Sequence, residues 1–302
     1  MDELQAKRKL TTYDDHVAFP LSSAQELFND PHFDPSRKTV LYMHGYDQLI
    51  DDENIRTIVA AYQTRNDYNI LILDWITIGS GDYIFTALPN TAAFSKIVAD
   101  VLIDLFTQGL DIKKVHVVSH SLGSHLAGMV GREIQLKSNR KLILKRITCL
   151  DPAFPGFYAP IPFFKAVNKD DAEFVDIIHT ETGTYGTPFP TGTVDFWVNG
   201  LTFNQPGCPP RNFRMLDKND LCSHHRSWRI WAESVSNKSS KFWSQKCSPF
   251  WFFSNTCESN MFVSMGIDCP TGISSMKCES FKVFFLDIVD LLMKSQIAVD
   301  AC

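Results

Sequence analysis

Ser119-His120-Ser121-Leu122-Gly123 carries the sharpest chemical signal in the chain. It follows a β-type run, Lys114 to Ser119, and opens a helical pattern that reaches about Leu136. Ester cleavage needs a hydroxyl nucleophile on a tight turn, with small neighbours that let strand and helix approach; the G-x-S-x-G elbow supplies this. Ser119 stands where the first glycine would be, so the pattern alone is weak, but Gly123, Ala127 and Gly128 on the following helix suit close packing on a sheet. An elbow of this type requires an acid at a later strand end and then a histidine. Asp151 follows the strand-like ITCL and precedes Pro152, and His224 lies two residues after Cys222 with His225 beside it, where a loop feeds a helix. Ser121 would attack an acyl carbonyl, His224 would shuttle the proton, and Asp151 would orient the imidazole. The oxyanion would be held by the N–H of Leu122 and that of Tyr46 in His44-Gly45-Tyr46, which follows the strand-like TVLYM. Taken singly, an acidic turn residue, a loop histidine and an H-G turn are ordinary surface features. Their order along the chain argues for function.

The elements that must position these residues alternate through the first two thirds of the chain. Strands are expected at 39–43, 69–75, 114–119, 142–150 and 173–179, with helices from about 51 to 65, 91 to 108 and 122 to 136. Alternation of short β-branched runs with helical periodicity predicts a single α/β domain with a mostly parallel sheet flanked by helices. A strand-like piece at 194–198 and a helix from about Arg226 to Val235 follow. Beyond Ser236 turns, cysteines and aromatics prevail, with a terminal helix expected near Phe281 to Lys294. The cluster Phe242, Trp243 and 250–253 reads as packed core rather than an interfacial patch. Asp176 and Asp195 read as structural hydrogen-bonding acids, and His120, His125 and His179 as buried and satisfied.

Composition narrows the class. The chain has 302 residues, 44% of them hydrophobic, enough for one large core, and it is not intrinsically disordered. Lys and Arg number 29 against 34 Asp and Glu, without a long basic run, which argues against nucleic acid as a partner. No apolar run is long enough for a transmembrane helix. The opening MDELQAKRKL contains no signal peptide. No His, Asp or Cys spacing resembles a zinc site, so neither a metal nor another cofactor is expected. Of eight cysteines, Cys149 stands alone in the first half while seven crowd the last third, as an oxidising compartment permits.

The motifs HGY at 44–46, ILDW at 72–75, HSLGSHLAG at 120–128, LDPAFPGF at 150–157, FVDIIHT at 174–180, VDFWVNG at 194–200, QPGC at 205–208 and CSHHRSW at 222–228 occur in an order that resembles the pancreatic-lipase-like family of secreted esterases. The likeness is to its insect branch of neutral lipases, venom phospholipases A1 and yolk proteins. The resemblance implies an α/β-hydrolase fold, a Ser121/His224/Asp151 triad with His225 a bystander, an oxyanion hole at Tyr46 and Leu122, and disulfides Cys208–Cys222 and Cys247–Cys257. It divides the chain into an N-terminal segment at 1–18, a lipase domain at 19–266 and an atypical tail at 267–302, in which Cys269, Cys278 and Cys302, like Cys149, have no inherited partner. The lid closed by Cys208–Cys222 holds only 13 residues, and the 181–192 loop is also short. Members trimmed at both places resemble phospholipases A1, so triacylglycerol and phospholipid both remain candidate substrates. The expected protein is a secreted monomer acting on lipid at an interface. The alternative is a non-catalytic lipid-binding or storage protein of the yolk-protein type; those lose the nucleophile, whereas Ser121 is present.

Overall fold

The computed structural model describes residues 9–12, 17–158, 162–237, 242–247, 257–272 and 279–283. Its sheet is built from β1 (Lys9–Thr12), β2 (Val17–Pro20), β3 (Lys38–Met43), β4 (Tyr68–Asp74), β5 (Val115–His120), β6 (Arg146–Leu150), β7 (Val175–His179), β8 (Val194–Val198), β9 (Phe242–Cys247), β10 (Cys257–Met265) and β11 (Glu279–Val283). The spatial order is β10-β9-β11-β8-β7-β6-β5-β3-β4-β1-β2. The six central strands, from β4 through β3, β5, β6 and β7 to β8, run parallel. Antiparallel β1 and β2 extend one side; on the other, β11 pairs with β8 in parallel and antiparallel β9 and β10 follow it.

The helices are α1 (Glu53–Arg65), α2 (Leu88–Gln108), α3 (Leu122–Lys137) and α4 (Cys222–Ser236). Helices α2 and α3 pack together over one core cluster, and α1 and α4 over the other. Strands covered on both faces must be apolar at nearly every position, which is why β5, β6, β7 and β8 are buried throughout. Helix ends follow local chemistry: Asn66 closes α1 in the left-handed conformation (φ 54°), and Gly109 closes α2 at φ 125°.

Three expectations change. The strand over 142–150 begins only at Arg146. The α4 helix starts at Cys222 rather than near Arg226, so His224 sits in its first turn and not in a loop. The turn-rich region after Ser236 contains β9 and β10, and residues 279–283, the start of the expected terminal helix, form β11; the remainder of that helix lies outside the described residues. Of the aromatic cluster, Phe242 is buried and Trp243 is 48% exposed, while 250–253 also lie outside the described residues.

Buried polar pairs tie the sheet to its surroundings. The Arg146 guanidinium holds the Asp176 carboxylate through two donors at 2.9 and 2.7 Å and gives its other protons to the carbonyls of Gly266 and Ile267. One ion pair therefore pins the chain after β10 against the sheet, on the charge-assisted bonding that a buried pair requires. Asp195 pairs with His179 at 2.9 Å and accepts from the Thr191 and Gly192 N–H groups.

Candidate active site

Ser121 stands between β5 and α3 with φ 53° and ψ −122°, a region that side-chain-bearing residues rarely occupy and that functional turns tolerate when the surroundings enforce it. Three contacts enforce it here. The Ser121 N–H donates to the Leu150 carbonyl at 3.0 Å, and its carbonyl accepts from Ser124 N–H at 3.0 Å and Ala153 N–H at 3.3 Å. Gly123 lets the start of α3 abut the end of β3, since a Cβ there would lie 2.2 Å from the His44 carbonyl oxygen and 2.4 Å from that of Met43. Ser119, at the position of the usual glycine, is fully buried and donates to the Thr148 carbonyl at 3.1 Å, so its hydroxyl is satisfied on β6.

Asp151 closes β6 with φ 49°, its N–H bonded to the Ile178 carbonyl at 2.8 Å. Its fully buried carboxylate accepts from Thr180 N–H at 2.8 Å, from Glu181 N–H at 3.1 and 3.2 Å, and from Nδ1 of His224 at 2.6 Å. A buried carboxylate needs such partners to stay ionised. His224 thus turns towards the acid, with the His120 ring 4.7 Å from its own. His225 lies beside Trp228 and His120. Burial, with the charges of His224 and Arg229, pulls its pKa down to about 3. His120 is also held neutral, its pKa well below the usual value through burial and the neighbouring His224. Neither ring nitrogen of His120 has a hydrogen-bond partner among the described residues, whereas those of His125 and His179 do.

The His44-Gly45-Tyr46 segment lies across from the elbow: a Cβ on Gly45 would meet that of Ser121 at 3.1 Å. It is braced from both sides. Trp75 Nε1–H donates to the His44 carbonyl at 3.2 Å. Gln48 Oε1 accepts from Gly45 N–H at 2.6 Å and from the Asn54 amide at 2.9 Å. Sequence reading missed Gln48 and Asn54, as it missed Glu181, Tyr185 and Arg211. No motif marks them: Gln48 and Asn54 act locally but in no recognisable pattern, and Glu181 and Arg211 act through partners about thirty residues away.

Ser121, His224, Tyr46, Tyr185 and His225 line one cleft of about 490 Å³, with Ile84, Met215, Leu216 and Leu221 adding apolar surface. The lid over 209–221 contributes Met215 and Leu216, both exposed, and is closed at its base by the Cys208–Cys222 disulfide. Cys247 stands opposite Cys257 in the β9–β10 register. Cys149 and Cys269 are buried free thiols, and Cys278 and Cys302 lie outside the described residues. Among the described residues no group of three or more His, Cys, Asp or Glu side chains is arranged to hold a metal ion, and no helix is long and apolar enough to cross a membrane.

The model of the Lipase family matches residues 6–290. The chain belongs to the pancreatic lipase family. It is 33% identical over 241 residues to lipoprotein lipase of Homo sapiens, covering 72% of this chain and 47% of that protein. To a protein named putative endothelial lipase, of Crotalus adamanteus, it is 30% identical over 291 residues, covering 87% of this chain and 56% of the other. The chain thus spans about half the length of the curated relatives it matches. Among solved structures, an α/β hydrolase from a Medee basin deep-sea metagenome library aligns at 15% identity and TM-score 0.37, over 60% of this chain and 67% of that one. As a member of the lipase family with a parallel central sheet between helices, the protein has the α/β-hydrolase fold.

Proposed function

We propose that the protein hydrolyses carboxylic esters of lipids through an acyl-enzyme on Ser121. The observation that carries this reading is the 2.6 Å bond from His224 to the buried Asp151, made at the cleft that Ser121 also lines. His224 takes the Ser121 hydroxyl proton as Oγ attacks the acyl carbonyl. The tetrahedral oxyanion forms against Tyr46 N–H and Leu122 N–H, the latter at the N-terminus of α3, where orphan donors and the helix dipole favour negative charge. Collapse expels the alcohol, which takes the proton from His224. A water, deprotonated by the same imidazole, then releases the fatty acid and restores Ser121.

The short lid supports phospholipid over triacylglycerol as the better substrate: the disulfide closes a loop with a sequence separation of only 14, leaving little chain to shield the cleft. A disulfide at that place also supports a secreted protein. A fluorophosphonate probe should label the wild type and not Ser121→Ala; folded wild-type protein that resists the probe refutes the reading. Fatty-acid release from phosphatidylcholine should exceed that from trioleoylglycerol. Cleavage of a short-chain p-nitrophenyl ester but of neither lipid would remove the lipid assignment.

A further inference from the structure

Glu181 is bound to the triad acid through its backbone and to the lid through its side chain. Its N–H is shared between the two Asp151 carboxylate oxygens at 3.1 and 3.2 Å, while its own carboxylate is fully buried. Oε2 accepts from Tyr185 N–H at 2.7 Å and Gly186 N–H at 2.8 Å, which folds the 181–186 turn around it. Oε1 accepts from Arg211, a lid residue, at 3.2 Å. The same guanidinium holds Asp220 through two donors at 3.0 and 2.9 Å and donates to Thr184 Oγ1 at 2.8 Å. Tyr185 closes the ring: its hydroxyl donates to Asp220 at 2.7 Å and accepts from Leu216 N–H at 2.9 Å, and its ring lies 5.7 Å from that of His224.

We propose that Arg211 and Glu181 are positioning residues, through which the seated lid holds the Asp151 cradle and sets the charge around His224. This rests on the triad reading above. Two buried carboxylates, Asp151 and Glu181, stand side by side, and a cation from the lid offsets the second. Burial and then the Asp151 charge push the Glu181 carboxyl up, as expected of such a pair, with the charge on His224 acting in the opposite direction. The titratable groups around His224 and Glu181 are Asp151, Glu181, Arg211, Asp220, His120, His225 and Tyr185. Burial keeps His120 and His225 uncharged, and the Tyr185 hydroxyl, pushed up to about 12 by burial and then by Asp220, is neutral. Asp220 is paired to Arg211, so Glu181 and Arg211 are the charges beyond Asp151 that tune the imidazole.

The test uses a short-chain p-nitrophenyl ester below its solubility limit, so that no interface is present. The acid limb of kcat/KM reports the base in the free enzyme. Arg211→Gln leaves the Glu181 and Asp220 anions uncompensated and should move that limb up, whereas Glu181→Gln removes the nearer anion and should move it down, each by about half a pH unit or more. The double variant should return it towards the wild-type position. Arg211→Gln should lower kcat about tenfold with KM little changed, as loss of transition-state positioning does. Arg211→Lys keeps the charge beside Glu181 and should hold the wild-type limb, and it also serves if the glutamine variant does not fold. Limbs that stay in place in folded, probe-labelled variants, or that move in the same direction, overturn the inference while leaving the triad standing. A wild type that neither cleaves the ester nor takes the probe overturns both.

Discussion

At the scale of single residues, the site depends on atoms that are missing as much as on those that react. Gly186 lies against the buried carboxylate of Asp151, where a Cβ would come 2.5 Å from Asp151 Oδ2 and 2.1 Å from the Glu181 carbonyl oxygen. Gly186→Ala should therefore displace the carboxylate and lower kcat about 100-fold, the scale set by a misplacement of about 1 Å, with folding retained by near-UV circular dichroism. Gly123→Ala meets backbone oxygens of β3 that cannot rotate away. It should destabilise the fold by about 3 kcal/mol or more in urea titration, the upper range for overpacking. The candidates Ser121, Asp151 and a histidine at 224 or 225 could be picked from the sequence because their order and small neighbours form a pattern. The residues that hold them could not: Gln48 acts on Gly45 from three positions away, but Glu181 serves Asp151 and Arg211 from thirty residues on either side, and such contacts leave no local trace.

At the scale of elements, α4 and the lid are joined by one bond. Cys222 is both the first residue of α4 and the partner of Cys208, so the disulfide anchors the helical turn that bears His224. A loop of this size stabilises by about 3 kcal/mol through the entropy it removes from the unfolded chain. Replacing both cysteines by serine should lower stability by about that amount in urea titration and should lower kcat on a dissolved ester, because the seat of His224 loosens with the lid. Unchanged kcat in a folded double variant would show that α4 is held by its packing on α1 and the sheet without the disulfide. Hydrophobic periodicity located the parallel strands and α1 to α3 well, since strands covered on both faces and amphipathic helices carry strong signals. It missed the start of α4 because Cys222-Ser-His-His is polar, yet tertiary burial of Ser223 and His224 draws the turn into the helix. It also missed β9, β10 and β11, whose mixed side chains become strands by pairing with the edge of an existing sheet.

At the scale of the whole molecule, buried imidazoles set the response to acid. Burial lowers the His44 pKa to about 4 and that of His125 to about 3, and it drives His116 and His120 well below the usual value. Unfolded histidine titrates near 6.5, so below that pH the unfolded chain takes up protons that the fold refuses. Stability is complete above about pH 6.5 and falls as the pH drops towards 4, by roughly 1.4 kcal/mol per pH unit for each such group. Urea midpoints should decline steeply between pH 7 and pH 5; a flat profile would mean that these rings gain protons in the folded state.

The sequence by itself determined the alternating β/α order, the parallel sheet and the elbow around Ser121, because periodicity and small-residue spacing are properties of neighbouring positions. Tertiary structure decided which groups meet: that His224 rather than His225 faces Asp151, that Glu181 lies against the acid, and that the lid reaches it through Arg211. The physical reason is burial. A carboxylate removed from water must find donors wherever the fold brings them, and their identity is set by the register of strands and the seat of loops, not by distance along the chain.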